Sequence, residues 1–485
     1  MNIALSTADF KYIIPEIIVT LFGLLVLLVE AFMKGKGSGR VTGVLTLIGA
    51  GLAFFYTTRL WGVSVDLFSA LYVVDNFGTF FKLIFLTILF LVAIVSLGYT
   101  PREEIGSGEY YGLLLFAVLG MMTMVSSKSF ITIFIGLEVM SLSIYVLCGL
   151  MRGNLKAIES SLKYFLLGSF GTAFFLYAVA LIYATTGSID IQAIRTAAAG
   201  TMLGSNPVFL AGIALLIVGF GFKTASVPFH MWTPDVYEGA PTSVTVFMAT
   251  GVKAAAFGAF LRVFYTAFYP FINEWSAVLW FVAVLTMSVG NITALVQNNM
   301  KRLLAYSSIA HAGYILVAFV TGDRMLSSSV LYYLLAYTFM NLGAFTVVIL
   351  LGRKGEEHED IDSYAGLGAR HPFIALCMTV FLLSLTGIPP LAGFVGKFYI
   401  FSDAIKGQYY WLAVIGVLNS AVAAYYYLRV LMYMYFKEPV KELGTVDMSP
   451  AYVVVMLVSA AMVLYLGILP RDFLLLAQKA VSVLQ

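Results

Sequence analysis

Long apolar segments follow one another along almost the whole chain. Hydrophobic residues make up 61% of the 485 residues and charged residues 11%, against about 25% charged in an ordinary soluble domain. A helix needs about 20 apolar residues to cross a bilayer core of about 30 Å. At that length the sequence predicts fourteen spans, approximately at residues 12–33, 41–60, 75–98, 110–126, 129–151, 157–185, 207–230, 241–268, 274–297, 301–321, 328–352, 372–402, 409–436 and 450–469. The runs are continuous rather than alternating, which favours helices over a β-barrel. The expected fold class is an all-α polytopic membrane protein.

The ends and loops of these spans predict how the chain is oriented. The first span has no A-x-A-type cleavage site behind a short apolar core, so we interpret it as a retained helix. One set of alternate loops, which includes Arg102, Arg152 and Arg302, carries more lysine and arginine than the other. Because such loops face the cytoplasm, both termini are predicted on the non-cytoplasmic side.

Several charged residues lie inside the predicted spans. They are Lys82, Glu138, Lys163, Lys223, Lys253, Arg262, Lys397 and Arg429. A charge near the bilayer midplane costs at least about 2.5–3.5 kcal/mol on insertion scales, so each is a functional candidate. Arg262 and Arg429 lie near span ends, where long arginines usually reach the headgroups. Lys82, close to Asp75, fits interfacial anchoring and function equally well.

The deepest of these charges are the strongest candidates for a site. Glu138 has no local route to water, and Lys253 lies deep in its span in any register. Lys163, on the following helix, is the expected partner of Glu138. His230 and His311 remain open, because a lone histidine in an apolar helix is often only a satisfied core residue.

Two spans are interrupted by proline. Pro228 follows Lys223 by five residues, and Pro389 and Pro390 precede Lys397. Proline removes a backbone hydrogen bond and costs about 3 kcal/mol or more inside a helix. In lipid, the freed backbone groups are tolerated only where protein or water satisfies them. Two such breaks, five spans apart, predict a pair of internal repeats over spans 4–8 and 9–13 with a site at each break; two simple kinks are the alternative.

This residue set favours proton transfer over sodium transport. Burial favours the neutral form of a lysine, whereas a nearby carboxylate favours the charged form. A buried lysine can therefore take up or release a proton when its surroundings change. Sodium prefers several oxygen ligands, and Glu138 alone among the acidic residues lies deep in a predicted span.

Redox chemistry and nucleic-acid binding find no support in the sequence. Cys148 and Cys377 are far apart, which excludes a disulfide scaffold, a CxxC pair and a cysteine-held iron–sulfur cluster. No GxGxxG motif follows a strand pattern. The net charge of +3 is too small to indicate nucleic acid.

Four blocks between about residues 110 and 405 carry a family resemblance. They are LEVMSLSIYVL, GFGFKTASVPFHMWTPDVYEGAPTSVTVFMATGVKAA, MKRLLAYSSIAHAGY and TGIPPLAGFVGKF. Together they resemble the proton-translocating membrane subunits of respiratory complex I, a family similar to subunits of multisubunit cation/proton antiporters and membrane-bound hydrogenases. The resemblance implies fourteen helices with two inverted five-helix repeats and two broken helices. The expected units are residues 1–109 (three helices), 110–268 and 269–436 (the repeats) and 437–485 (the last helix).

The resemblance also implies which residues transfer protons. The family's functional positions carry over to Glu138, Lys163, Lys223, Lys253 and Lys397, and His230 and His311 match its less certain relay positions. The family has three homologous antiporter-like subunits, and this chain is most similar to one of them. The features that match are the lysine at position 397, the VDNFGTFFK block and the short segment after the last span. The largest of the three has a long lateral helix, which we do not expect here.

The same resemblance places the redox chemistry elsewhere. NADH, FMN, iron–sulfur clusters and quinone are expected in partner subunits, with no cofactor or metal in this chain. The expected location is the bacterial cytoplasmic (inner) membrane, beside other membrane subunits that connect to a peripheral redox arm. A subunit of a multisubunit Na⁺/H⁺ antiporter is the alternative function, and a structural subunit with inert buried charges is the third hypothesis.

Overall fold

The computed structural model describes residues 9–33, 38–199, 203–322, 328–352, 359–439 and 448–484. These residues form twenty α-helices and one hairpin of two short strands. The helices are α1 Ile14–Met33, α2 Ser38–Thr58, α3 Asn76–Arg102, α4 Ser107–Val125, α5 Phe130–Cys148, α6 Leu155–Thr186, α7 Ile191–Ala199, α8 Pro207–Thr224, α9 Thr233–Gly239, α10 Thr242–Phe247, α11 Lys253–Thr266, α12 Ile272–Leu295, α13 Met300–Val320, α14 Ser328–Leu351, α15 Leu367–Arg370, α16 Pro372–Thr386, α17 Ala392–Lys406, α18 Tyr410–Phe436, α19 Pro450–Ile468 and α20 Arg471–Val481. The strands are β1 Val65–Leu67 and β2 Tyr72–Val74. The predicted orientation depends on the lysines and arginines of the loops. Some of these lie outside the described residues, namely Lys34, Lys36, Arg324, Arg353, Lys354 and Lys441.

Within this described part, thirteen helices are long and apolar enough to cross a membrane. The one remaining predicted span, the twelfth at 372–402, is present as the two half-helices α16 and α17, each too short to cross alone. Gly387 ends α16 in the left-handed conformation, with φ of 93°. The all-α polytopic fold is therefore confirmed, and the twelfth span is broken where its prolines predicted.

The seventh predicted span is broken as well. Helix α8 ends at Thr224, where Ala225 adopts φ of 60° and donates its N–H to the carbonyl of Phe222. The chain then makes a turn through Pro228 and re-enters a helix at Thr233, the first residue of α9. The eighth span is continuous from Thr242 to Thr266, but a π-helical turn at Met248–Val252 separates α10 from α11.

The core of the protein lies around three central spans. Helices α10–α11, α13 and α14 are buried along almost their whole length, whereas α1, α6, α18 and α19 keep an exposed outer face. Polar side chains on the central helices cannot reach water across the bilayer core. They must therefore find partners inside the protein.

The hairpin connects the first three helices to this core. Strands β1 and β2 pair antiparallel, with Val65 opposite Val74. Asp75 follows β2 and caps α3 by accepting the N–H of Gly78. Arg262 of α11 donates two hydrogen bonds of 2.8 Å to the Asp75 carboxylate and another to the carbonyl of Val125.

The two arginines expected to reach the headgroups both have hydrogen-bond partners inside the protein. Arg262 is 3% exposed and lies between α11 and α3, because the buried Asp75 carboxylate offers it a bidentate partner. Arg429 donates to the carbonyls of Leu295, at 3.0 Å, and Gln297. Those carbonyls lie at the end of α12, where no further helical turn satisfies them. The snorkelling prediction was wrong for Arg262, which is buried, whereas Arg429 is partly exposed beside the end of α12.

Lys82 is buried rather than interfacial. Its ammonium lies 2.7 Å from the carboxylate of Glu16 on α1 and is fully buried. The hydroxyl of Tyr72 donates to the same carboxylate oxygen at 2.6 Å. The pair joins α1, β2 and α3, and it lies apart from both helix breaks.

Candidate functional site

Lys223 lies in the last turn of α8, directly before the first break, and is 3% exposed. Its ammonium donates to the hydroxyl of Ser141 at 2.8 Å and to that of Tyr145 at 3.4 Å, both on α5. It also lies 5.7 Å from the ring centroid of Tyr164 on α6. The C-terminal end of α8 favours this positive charge through the helix dipole.

Glu138 is the acidic neighbour of Lys223. It lies on α5 one turn before Ser141, is partly buried, and accepts a hydrogen bond of 2.8 Å from Thr172 of α6. Its carboxylate interacts electrostatically with the Lys223 ammonium without a direct contact between the two groups. The hydroxyl of Ser141, which accepts from Lys223, itself donates to the carbonyl of Leu137.

Lys253 is the first residue of α11, immediately after the π-helical turn, and is 2% exposed. Its ammonium donates to both the carbonyl and the hydroxyl oxygen of Ser308 on α13, each at 2.5 Å. The π-helical turn changes the direction in which the following side chains point. Such turns are frequent at functional sites.

His311 follows Ser308 by three residues on the same face of α13 and is buried. Its Nδ1 lies 2.5 Å from the hydroxyl of Tyr333 on α14, and its Nε2 lies 3.2 Å from the hydroxyl of Tyr427 on α18. Both Lys253 and Lys397 act electrostatically on this imidazole. His311 therefore lies within electrostatic range of both lysines.

Lys397 lies on α17, after the second break, and is 4% exposed. Its ammonium reaches back to the end of α16 and donates to the carbonyls of Leu385 at 3.1 Å and Thr386 at 2.9 Å. Gly387 permits this approach, because a Cβ there would lie 3.0 Å from the Lys397 stem. The ammonium is also 4.6 Å from the ring centroid of Tyr314.

Lys163 does not pair with Glu138, and that expectation was wrong. Its ammonium binds Glu159 at 2.6 Å and Asp235 at 2.9 Å, and its side chain is 40% exposed. Thr172 is the residue of α6 that contacts Glu138. It lies nine residues from Lys163, which is about 13 Å along a helix. Lys163 therefore belongs to the rim of the protein.

Asp235 is a rim residue that the sequence reasoning missed. It lies on α9 after the first break, outside the candidate spans, and accepts hydrogen bonds from Lys163 and from Arg302 of α13, the latter at 2.8 Å. Burial acts to raise the pKa of Asp235, but these two cations outweigh it and hold the pKa below its usual value. The carboxylate thereby joins the first half of the chain to the second.

His230 stays apart from the other candidates. It lies in the turn after Pro228 and is partly buried, and its Nδ1 has no hydrogen-bond partner among the described residues. Pro228, Pro389 and Pro390 are exposed at the surface of the single chain.

The structure thus brings the predicted residues into two groups and leaves two outside. Glu138 and Lys223 form the first group, and Lys253, His311 and Lys397 form the second. The hydroxyl partners were not singled out from the sequence, although their spacing carried a signal. Ser141 follows Glu138 by three residues, and Ser308 precedes His311 by three, which places each pair on one helix face.

The described residues contain no group of three His, Cys, Asp or Glu side chains that could hold a metal ion. Cys148 and Cys377 are both buried free thiols. The chemistry visible in this arrangement is that of cationic and hydroxyl groups in a protein interior.

Comparison with known proteins identifies the family. A family model described as NADH:quinone oxidoreductase/Mrp antiporter, TM, matches residues 127–423. The chain is 49% identical over 479 residues to NADH-quinone oxidoreductase subunit N of Trichlorobacter lovleyi, covering 99% of this chain and 98% of that protein. The chain belongs to the subunit N family. The resemblance to one particular antiporter-like subunit is thereby confirmed.

Solved structures support the subunit N fold. A chain of respiratory complex I from Thermus thermophilus with bound aureothin is 35% identical, with a TM-score of 0.82 over 96% of this chain and all of that one. A chain of the membrane-bound sulfane sulfur reductase, an archaeal respiratory membrane complex, is 26% identical, with a TM-score of 0.84 over 97% of each chain.

Proposed function

We propose that the chain is a proton-translocating membrane subunit of an NADH-quinone oxidoreductase. Partner subunits transfer electrons from NADH to quinone, and this chain conducts protons. FMN, the iron–sulfur clusters, NADH and quinone bind to those partners. The chain lies in the bacterial cytoplasmic membrane beside other membrane subunits, which connect it to the peripheral redox arm.

One observation supports proton transfer above the others. The ammonium groups of Lys223, Lys253 and Lys397 are buried, and in the described part of the chain none of them forms a salt bridge with a carboxylate. Their partners are neutral hydroxyl and carbonyl oxygens. Such oxygens stabilise the charged form without fixing it, while burial favours the neutral form. Both protonation states are then within reach of a conformational change.

The two groups of residues give the proton a direction. Glu138 stabilises a proton on Lys223, and Lys253 and His311 pass protons toward Lys397. Lys163 acts at the rim, beside a cavity of about 160 Å³ that Glu159, Asp235 and Arg302 also line. A polar cavity of that size holds water, through which protons reach the protein. His230 is a relay residue at the first break.

The helix order supports two inverted repeats. Helices α4, α5, α6, α8 and α10–α11 form the first set of five spans, and α12, α13, α14, α16–α17 and α18 form the second. In each set the fourth span is broken. Because five is odd, the second set begins on the opposite side of the membrane from the first, so an equivalent fold there is inverted. With an even number of spans both termini lie on one side, and the excess of lysine and arginine in the alternate loops makes it the non-cytoplasmic side.

A single preparation tests this function. The complex is purified in mild detergent through a tag on this chain, analysed by mass spectrometry and assayed for NADH–quinone activity. Co-purification of flavin- and iron-bearing subunits with inhibitor-sensitive activity is expected. An intact complex of membrane subunits without flavin or iron would instead identify a subunit of a Na⁺/H⁺ antiporter.

The proton pathway needs its own variants. Lys223→Met and Lys397→Met are expected to abolish NADH-driven proton uptake by membrane vesicles. Lys406→Met is the matched control, since Lys406 ends the same helix as Lys397 but its side chain is 61% exposed. Glu138→Gln should slow uptake less than Lys223→Met, because it removes only the neighbour of the lysine. Full uptake in assembled Lys223→Met and Lys397→Met complexes would show that the buried charges are inert.

A further inference from the structure

Both ring nitrogens of His311 face a tyrosine hydroxyl. Nδ1 lies 2.5 Å from Tyr333 on α14, and Nε2 lies 3.2 Å from Tyr427 on α18. The imidazole is 1% exposed, and both tyrosines are fully buried. A hydroxyl can donate and accept at once, and a neutral imidazole carries one donor and one acceptor nitrogen. The three groups therefore form an unbroken hydrogen-bonded line.

This line extends toward the lysine on either side. The hydroxyl of Tyr427 also bonds to the hydroxyl of Ser307, whose neighbour Ser308 holds the Lys253 ammonium. At the other end, the ring of Tyr333 packs against Gly396, the residue before Lys397. A Cβ at Gly396 would lie only 2.4 Å from that ring, so the close packing requires glycine.

We propose that Tyr427 and Tyr333 are relay residues that carry a proton across His311, between the Lys253 and Lys397 ends of the site. This proposal rests on the proton-translocating function proposed above. It adds two tyrosines and Ser307 to the pathway. In it the imidazole of His311 passes the proton on and is neutral before and after, instead of holding the proton as an imidazolium.

The transfer balances without any change of electrons. The Lys253 ammonium gives up one proton to the Ser307 end of the line and becomes neutral. Ser307 regains that proton as it passes its own to the Tyr427 oxygen, and the Tyr427 O–H bond breaks toward Nε2. A new N–H bond forms at Nε2 while the Nδ1–H bond breaks, and that proton moves to the Tyr333 oxygen. Tyr333 releases its own hydroxyl proton to a neutral Lys397 amine, which becomes the ammonium. The imidazole is neutral before and after and has exchanged tautomers, and rotation of the hydroxyls with the return of the tautomer resets the line.

A purely structural role for these hydroxyls leads to a different expectation. Buried imidazole nitrogens need hydrogen-bond partners, and two tyrosines would satisfy them without any proton movement. Loss of one hydroxyl would then lower stability but leave proton translocation per assembled complex unchanged. If the hydroxyls carry the proton, loss of one hydroxyl must lower the rate of proton translocation per assembled complex.

The test uses the assembled complex in membrane vesicles, with Tyr427→Phe, Tyr333→Phe and Ser307→Ala. The rate of proton uptake is measured per assembled complex, in H₂O and in D₂O. Tyr332→Phe is the matched control, because the Tyr332 hydroxyl is buried on the same helix as Tyr333 but donates to the Leu466 carbonyl at 2.5 Å. General acid–base groups commonly contribute a hundredfold or more, so both tyrosine variants should lower uptake about tenfold or more. Their solvent isotope effect should exceed that of the wild type.

The outcomes separate the relay from the wider function. Tyr427→Phe and Tyr333→Phe complexes that pump like Tyr332→Phe, with an unchanged isotope effect, would overturn the relay. If Lys397→Met still abolished uptake in that case, the proposed function would stand without it. Should Tyr427→Phe fail to assemble, Ser307→Ala decides, because it leaves both contacts to His311 in place and breaks the line one step further out. Wild-type uptake in that variant would also overturn the relay.

Discussion

At the first helix break the lysine precedes the proline, and at the second it follows. Lys223 lies in the last turn of α8 and donates to side-chain hydroxyls on a different helix, close to Glu138. Lys397 lies on the second half-helix and reaches back across its own break to the carbonyls of Leu385 and Thr386. The two sites share a buried ammonium near the C-terminal end of a half-helix, where the dipole favours a cation.

The two ammonium groups differ in the kind of hydrogen-bond partner that each one has. The partners of Lys223 are side chains, which can change rotamer without disturbing a helix. The partners of Lys397 are carbonyls that lack a helical donor only because α16 ends there, so this ammonium also caps the helix. Lys397 therefore carries a structural duty that Lys223 does not. At the second break, losing the positive charge should lower stability as well as proton uptake, whereas keeping the charge but losing the ability to release a proton should affect proton uptake alone.

Arginine at either lysine position gives the largest expected effect. A guanidinium keeps the charge and the donors but does not lose its proton. Lys223→Arg and Lys397→Arg should both assemble and both lose NADH-driven proton uptake. Lys397→Met should in addition be less stable by about 1–3 kcal/mol, because two buried carbonyls lose their donor. Uptake at the wild-type rate in the arginine variants would show that these ammonium groups act only as fixed charges.

The buried pair of Glu16 and Lys82 lies away from both helix breaks. It therefore tests whether a buried lysine is needed for proton transfer wherever it lies, or only beside a break. Removing one partner of a buried ion pair typically costs about 3–5 kcal/mol, whereas replacing both is often neutral. Lys82→Met should therefore destabilise the chain, and Glu16→Gln with Lys82→Met should restore stability and pump normally. Unfolding is followed by thiol labelling of the buried Cys148, read by mass spectrometry. A stable double variant that fails to pump would assign this pair a part in proton transfer.

The packing at the two breaks can be compared through one glycine at each, by the room that is left there for a Cβ atom. A Cβ at Gly393, after the second break, would lie 1.8 Å from the backbone carbonyl oxygen of Ser384. At Gly221, before the first break, it would lie 2.9 Å from the ring of Phe229, a partly buried side chain that can move. Overpacking of this kind costs about 1–3 kcal/mol. Gly393→Ala should reach the upper end and lower the amount of assembled complex, and Gly221→Ala should remain near the lower end. Equal losses would mean that the breaks are equally rigid.

The sequence predicted the spans and both breaks because these follow from local rules. Apolar length defines a span, and Pro228, Pro389 and Pro390 interrupt helices whatever surrounds them. It did not predict partners, because these depend on which helices pack together. Arg262 met Asp75 across 187 positions of the chain, and Lys163 met Asp235 instead of Glu138. The hydroxyls around His311 come from α14 and α18, so no spacing within one helix could have indicated them.

The rim pairing of Asp235 connects the two halves that contain the breaks, and it should have the smallest effect. Asp235→Asn removes the link between Lys163 and Arg302, both partly exposed, and such exposed pairs contribute under about 1 kcal/mol. Because the pKa of Asp235 is lowered by folding, its contribution is complete above the usual aspartate range and is lost only as the pH falls through the lowered value. The stability difference between Asp235→Asn and the wild type should therefore stay constant from about pH 6 to 8. Glu103→Gln is the control, since Glu103 pairs with Arg102 at the end of α3, away from Asp235. A proton-uptake rate that falls in Asp235→Asn but not in Glu103→Gln, at equal stability, would move Asp235 from the rim of the protein into the pathway that begins at Lys163.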